Sequence, residues 1–275
     1  MTSILTNNGA MVALQTLSSI NNDLTDTQNQ ISTGKEVGAA KDNSAIWAIS
    51  KVMESDVAGF EAVSDSLSLG ESTVAVATAG AEQITELLKE MKEKVVAGTG
   101  ENVDHSKLEA DVDELKNQIT SVIGASQFNG ANLLNTAGNA GITVLSSLDR
   151  DASGAVTASN ITVDSVDFEA TLTLSAVDMT DATTAEQSID DIEALIQAAV
   201  DGAAALGASA ARIERQNEFV TKVTDAMKSG IGSLVDTNME EASARLKALQ
   251  TQQQLGVQAL SIANSAPETL QQLFR

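Results

Sequence analysis

Apolar residues recur at alternating intervals of four and three near both ends of the chain. Toward the N-terminus the register is Ala10, Leu14, Leu17, Asn21, Leu24, Gln28 and Ile31. Toward the C-terminus it is Val235, Met239, Ala242, Leu246, Leu249, Gln253, Gly256, Leu260 and Ala263. This spacing keeps one residue per turn on a single helix face and is the seam of helices packed in coiled-coil fashion. Between the ends, Val63, Leu67, Gly70, Val74, Ala77, Ala81, Ile84, Leu88, Met91 and Val95 predict one long helix, capped within Asp42 to Ser44 and stopped at Gly98 and Gly100. Ser106 and Glu109 have capping-box spacing and open a helix through Leu108, Val112, Leu115, Ile119 and Val122, which Gly124 and the Asn129-Gly130 pair end. Thr183 and Glu186 open another, running through Ile189, Ile192, Ile196, Ala199, Ala203, Leu206, Ala210, Ile213, Asn217, Val220, Thr224, Met227 and Ile231. Gly230 and Gly232 predict a hinge before the C-terminal segment.

From about 138 to 182 the period falls to two. Phe168, Ala170, Leu172, Leu174 and Ala176 alternate with Glu169, Thr171, Thr173 and Ser175, the strongest strand pattern in the chain. Ile142 with Val144, and Ile161 with Val163, are weaker strand candidates, and turn formers lie between them. The expected fold is mainly α: an elongated antiparallel helical bundle or coiled coil with paired N- and C-terminal helices and a small β-hairpin insert. The expected domains are 1–40 with 232–275, 41–137 with 183–231, and the insert 138–182. Antiparallel return of the second half puts both ends at one pole and the insert near the other. A helix of roughly 45 residues spans about 70 Å, so the expected shape is a rod.

Composition sharpens this picture. Apolar residues make up 43% of the 275 positions but aromatics only 2%, with Trp47 the single tryptophan and no tyrosine, which suits thin helical seams. The single proline, Pro267, leaves long helices uninterrupted. The net charge is −22, unevenly spread. Residues 1–40 carry only Asp23, Asp26, Lys35 and Glu36, while 138–190 carry nine acids against Arg150 alone. No basic stripe for nucleic acid and no cationic face for anionic lipid stands out. Positions flanking the terminal seams hold Gln, Asn, Ser, Thr and Ala where a soluble coiled coil carries Glu and Lys. Uncharged flanks fit a helix covered on several sides, so the terminal segments are expected to order when many subunits pack around them. The expected assembly residues are Leu14, Leu17, Leu24, Ile31, Leu246, Leu249, Leu260 and Leu273.

Catalytic chemistry finds little support. There is no cysteine, and His105 is the only histidine, so thiol sites and multi-histidine metal sites are ruled out. Gly98-Thr99-Gly100 lacks the lysine of a phosphate loop. Asp190-Asp191 and Glu240-Glu241 read as solvated faces, and Asp149 to Asp151 lacks a calcium-loop pattern. The expectation is no enzyme, no cofactor and no metal. The N-terminus has no basic, apolar leader and no stretch reads as a membrane span, so any exit from the cell is expected to proceed without a cleaved signal.

The same residues carry a resemblance. Ile31-Ser32-Thr33-Gly34-Lys35 followed by Ala40-Lys41-Asp42-Asn43, then Gln127-Phe128-Asn129-Gly130 with Asn132-Leu133-Leu134, is similar to bacterial flagellin. Ala208 to Arg215, and Ala266-Pro267-Glu268 with Leu270, Leu273, Phe274 and Arg275, resemble that family's C-terminal stretches. The resemblance covers about 1–137 and 184–275, and Ala45-Ile46-Trp47 with the short insert looks most like alphaproteobacterial members. It implies a filament subunit for swimming motility, with terminal helices lining the filament's channel, the middle helices forming the next shell, and bulky outer domains missing. It further implies an extracellular homopolymer, unfolded export through the flagellar type III channel, and an export chaperone, filament cap and junction proteins as partners. Enteric relatives present Arg and Leu to an animal innate receptor where this chain has Glu90 and Lys94, so receptor activation is not expected. A hook–filament junction protein and a surface adhesin using 138–182 are the alternative functions.

Overall fold

Long amphipathic registers form long helices in the computed structural model, which describes residues 7–136, 140–151 and 153–273, the last eight of these by backbone alone. The order is α1 (Asn8–Thr33), α2 (Ser44–Gly98), α3 (His105–Ala125), β1 (Gln127–Phe128), β2 (Ala131–Asn132), β3 (Ile142–Arg150), β4 (Val156–Val163), α4 (Phe168–Thr171), a 3-10 turn (Leu174–Ala176), α5 (Ala182–Val235) and α6 (Met239–Leu273). The described chain divides into two units. One comprises residues up to Ser55 and from Ala226 onward; the other is Asp56–Asp225.

In the central unit, the α2 register buries Val63, Leu67, Val74, Ala77, Ala81, Ile84, Leu88, Met91 and Val95. From α3 come Val112, Leu115 and Ile119, and from α5 Ile192, Ala199, Leu206, Ile213 and Val220. α2 and α5 run antiparallel: Ser64 Oγ donates to Asn217 Oδ1 at 2.8 Å, and 28 residues further along α2 Lys92 pairs with Glu193. Two helix starts differ from expectation. Asp104, not Ser106, caps α3 by accepting from the Lys107 amide, and Asp181, not Thr183, caps α5 by accepting from Thr183 and Thr184 at 2.9 and 2.8 Å. In both cases an aspartate just upstream lies outside the helical turn, where a side-chain oxygen reaches the free amides.

The β region also departs from expectation. The weaker candidates form the hairpin: β3 and β4 pair antiparallel from Ile142↔Val163 to Arg150↔Val156, with a bulge between Leu145 and Ser147. Phe168–Ala176, expected as a strand, is α4 and a 3-10 turn. Asp167 caps α4 by accepting from the Ala170 amide, and Phe168 and Leu172, four apart, are both buried. The hairpin does not sit at the remote tip of this unit. It lies along the 56–70 stretch of α2, where a Cβ on Gly70 would stand 2.5 Å from Val144 Cγ2 and one on Gly59 2.8 Å from Leu148 Cδ1. Helix glycines there let the strand approach closely, and Arg150 closes the far end on Asp56, with Nε 3.1 Å from Oδ1. At the other end of the unit Met179 fills the notch at Gly98.

α5 corrects two further expectations. It continues through Gly230 and Gly232 and ends at Val235, the break falling at 236–238. By length and composition α5 is also apolar enough to cross a membrane, contrary to the reading that no stretch is. Its many alanines make it apolar by composition, while Ile192, Leu195, Ala199 and Leu206 of the same helix pack into the central core.

Candidate assembly surface

The terminal unit is built on the pairing of α1 with α6 within a single copy, whereas the uncharged flanks predict segments that order only on assembly. Asn7 caps α1, its Oδ1 accepting from the Ala10 amide at 3.1 Å, and Gly34 ends it in the left-handed conformation at φ 71°. Asn238 caps α6, accepting from Glu240 N at 3.1 Å. The helices run antiparallel: Asn7 Nδ2 donates to Ala263 O, and Gln253 Nε2 to Asn21 Oδ1, both at 2.7 Å. Gly256 makes room between them, since a Cβ there would stand 3.2 Å from Leu17 Cδ1.

The seam of α1 differs from the expected register. The covered positions are Ala10, Ala13, Leu17, Ile20, Leu24, Thr27 and Ile31, so Ala13, Ile20 and Thr27 take the places expected for Leu14, Asn21 and Gln28. Thr27 can be buried because its hydroxyl donates to the Asp23 carbonyl of its own helix at 2.8 Å. Longer amides at 21 and 28 stay at the rim of the pair, where Asn21 Oδ1 accepts from Gln253 and Gln28 is exposed. On α6, Ala242 and Leu249 are buried and Leu246, Gln253, Gly256, Leu260 and Ala263 half-buried, whereas Met239 is exposed.

The eight expected assembly residues therefore separate. Leu249 is spent within the α1–α6 pair, and Leu17, Leu24, Ile31, Leu246 and Leu260 are half-covered by it. Among the seven whose side chains are described, Leu14 alone is exposed, at 59%. The side chain of Leu273 lies outside the described residues. The structure adds residues that the register did not single out. Met11 and Val12 on α1, and Leu255, Val257 and Ile262 on α6, are 54–71% exposed. Their signal in the sequence is apolar side chains off the seam within two helical stretches, 7–22 and 248–265, that carry no charge.

The two helix breaks of this unit are clasped. Lys35 and Asp236 form an antiparallel bridge in which Glu36 N donates to Val235 O at 2.7 Å and Thr237 N to Gly34 O at 2.9 Å. Glu54 receives Lys51 at 2.5 Å and Lys35 at 3.8 Å. The Lys51 hydrogen bond, aided by both positive charges, lowers the Glu54 pKa. An open groove of about 730 Å³ beside the clasp is lined by both charges and amides, including Asp26, Gln30, Lys35, Lys41 and Asp42.

Among the described residues, no three His, Asp or Glu side chains converge on a metal-sized space. His105 opens α3 with Nδ1 buried and without a hydrogen-bond partner. Asp181 is held below its usual pKa first by the Thr184 amide, and Asp178 first by the Thr180 hydroxyl. Lys94 pairs with Asp111 at 2.9 Å, which raises its pKa. These are caps and surface pairs, with no nucleophile set against a base.

Residues 4–139 match the family model of the bacterial flagellin N-terminal helical region, and residues 189–274 that of the C-terminal helical region. Flagellin FljM of Caulobacter vibrioides is 39% identical over 281 residues, covering all of this chain and 99% of the relative. Flagellin C of Rhizobium meliloti is 37% identical and flagellin of Brucella melitensis 39%, each alignment covering both chains completely. The crystal structure of Bacillus cereus flagellin aligns with 55% of this chain and 86% of its own, at 23% identity and a TM-score of 0.48.

Proposed function

The chain belongs to the bacterial flagellin family and is a structural subunit of the flagellar filament, and from that premise we propose that it polymerises by burying the outer faces of α1 and α6, uncharged over 7–22 and 248–265, against other copies. The carrying observation is the set of apolar side chains left outside the α1–α6 seam: Met11, Val12, Leu14, Leu255, Val257 and Ile262. Large apolar side chains left at the surface of uncharged helical stretches mark regions that associate. Residues 1–40 and 232–275 then act as the polymerising domain, and 41–137 with 183–231 as a second helical domain, on whose core the acidic segment 138–182 packs through Phe168, Leu172 and Met179.

Export unfolded through the flagellar type III channel, without a cleaved signal, fits a chain with no cysteine and one proline. A chaperone, a filament cap and junction proteins are the partners that this route requires. Deletion of 1–30 or of 246–275 should leave a soluble central unit that cannot polymerise. Filaments formed by either truncation, seen by electron microscopy, would refute the proposal.

A further inference from the structure

In a chain of net charge −22, α5 carries an exposed cationic stripe. Arg212, Arg215, Phe219 and Lys222 follow one another at three-, four- and three-residue steps, within an arc of about 80° on the helix. All four are exposed, and they point away from the buried Ile213 and Val220. Phe219 is 56% exposed, unusual for a large aromatic in a chain with so few. Lys222 has Glu218 at 3.7 Å. Among the described residues Arg212 and Arg215 form no ion pair, although Glu214 and Glu218 lie on the adjacent flank of the helix. Two unpaired guanidinium groups framing a bare phenyl ring are the residue types that anchor protein interfaces.

The same chain carries a matching acidic stripe. Glu82, Glu86, Glu90 and Glu93 of α2 are all exposed and also fall within about 80° of one helix face. Lys89 binds Glu86 at 2.7 Å, and Lys94, which feels Glu90 and Glu93, is engaged by Asp111. Each stripe is about 15 Å long, so the two can be read along one another. They cannot meet within one copy. Asn217 stands level with Ser64, whereas the glutamates begin 18 residues further along α2, and the stripe centres lie roughly 35 Å apart. Screening confines such charges to about 8 Å at physiological salt, so only contact pairs them.

We propose that the Arg212–Arg215–Phe219–Lys222 stripe docks on the Glu82–Glu86–Glu90–Glu93 stripe of a second copy displaced along the helix axis. The surface lies in the central unit, separate from the terminal helices, and the inference rests on the chain's being a homopolymer subunit. Each guanidinium presents a planar fork to a carboxylate, and Phe219 covers the apolar stems of the glutamates. The partner is abundant by construction, because every subunit carries both stripes.

Charge reversal in the full-length chain tests this. R212E/R215E and E82R/E93R are made separately, and each monomer is checked by helical circular dichroism and melting. Each alone should raise the critical concentration for polymerisation about tenfold or more, because like charges then face one another. An equimolar mixture should copolymerise near the wild-type concentration, since the reversed stripes complement each other. Wild-type polymerisation by R212E/R215E, or no recovery in the mixture, overturns the proposal; the first outcome would assign the stripe to an acidic partner of another class. Both variants leave α1 and α6 intact, so failure of the terminal-helix reading shows separately, in filaments formed by the truncated chains.

Discussion

Leu14 and Leu249 belong to one expected set of assembly residues, yet the structure gives them opposite tasks. Leu14 is 59% exposed on α1, and Leu249 is buried in the α1–α6 seam. Complete burial of a leucine stabilises by about 1.5–3 kcal/mol, so covering the exposed share of Leu14 contributes roughly 1–2 kcal/mol per subunit. Leu14→Ser should therefore change the folding of the isolated subunit by only about 0.5 kcal/mol. Its critical concentration for polymerisation should rise roughly five- to thirtyfold, as 1–2 kcal/mol dictates. Leu249→Ala removes side-chain atoms that already have partners and should destabilise the α1–α6 pair by about 2–5 kcal/mol in the free subunit. Sedimentation of polymer against subunit concentration measures the first effect, and helical circular dichroism on heating measures the second. If Leu14→Ser polymerised at the wild-type concentration, or loosened the free subunit more than Leu249→Ala, the division between inward seam and outward face would be wrong.

Gly202→Ala should lower the stability of the central unit by about 1–3 kcal/mol in urea denaturation, because the new Cβ would stand 2.5 Å from Val166 Cγ1 and 2.6 Å from Phe168 Cε1. Arg150→Ala should speed amide exchange around the β3–β4 turn with little change in melting temperature, since Arg150 Nη1 also donates to Gly154 O at 3.0 Å in an exposed site. Asp181 has a lowered pKa in the folded chain, so its ionised cap stabilises above the ordinary carboxylate range and is lost as pH falls through the lowered value. Asp181→Asn keeps an acceptor for the Thr183 and Thr184 amides and should flatten this acid dependence, as thermal melts from pH 6 to pH 2 would show.

The central helices were legible because periodicity alone selects a face. Val63 to Val95 and Ile192 to Val220 repeat at helical spacing, and burial followed the repeat. Caps were legible only approximately. Ser106 and Thr183 satisfied a sequence pattern, but Asp104 and Asp181 held the position outside the first turn. Phe168–Ala176 failed for a different reason. An alternating pattern in a short segment also places residues four apart on one side, and the Asp167 cap with a closed β3–β4 ladder favoured a helical turn.

By itself the sequence determined the helices, the uncharged ends, the acidic middle and the family, because each depends on residue type and local spacing. Only the tertiary structure decided which side of a terminal helix is consumed inside the subunit. With apolar residues on several faces of α1, spacing permits more than one seam. The choice of Ala13, Ile20 and Thr27 over Leu14, Asn21 and Gln28 is made by how closely α6 can approach, at Gly256 above all. That choice leaves Leu14 outward. The antiparallel register of α2 and α5 likewise sets the two charged stripes apart on one copy, a separation that follows from distance in space and that no local pattern encodes.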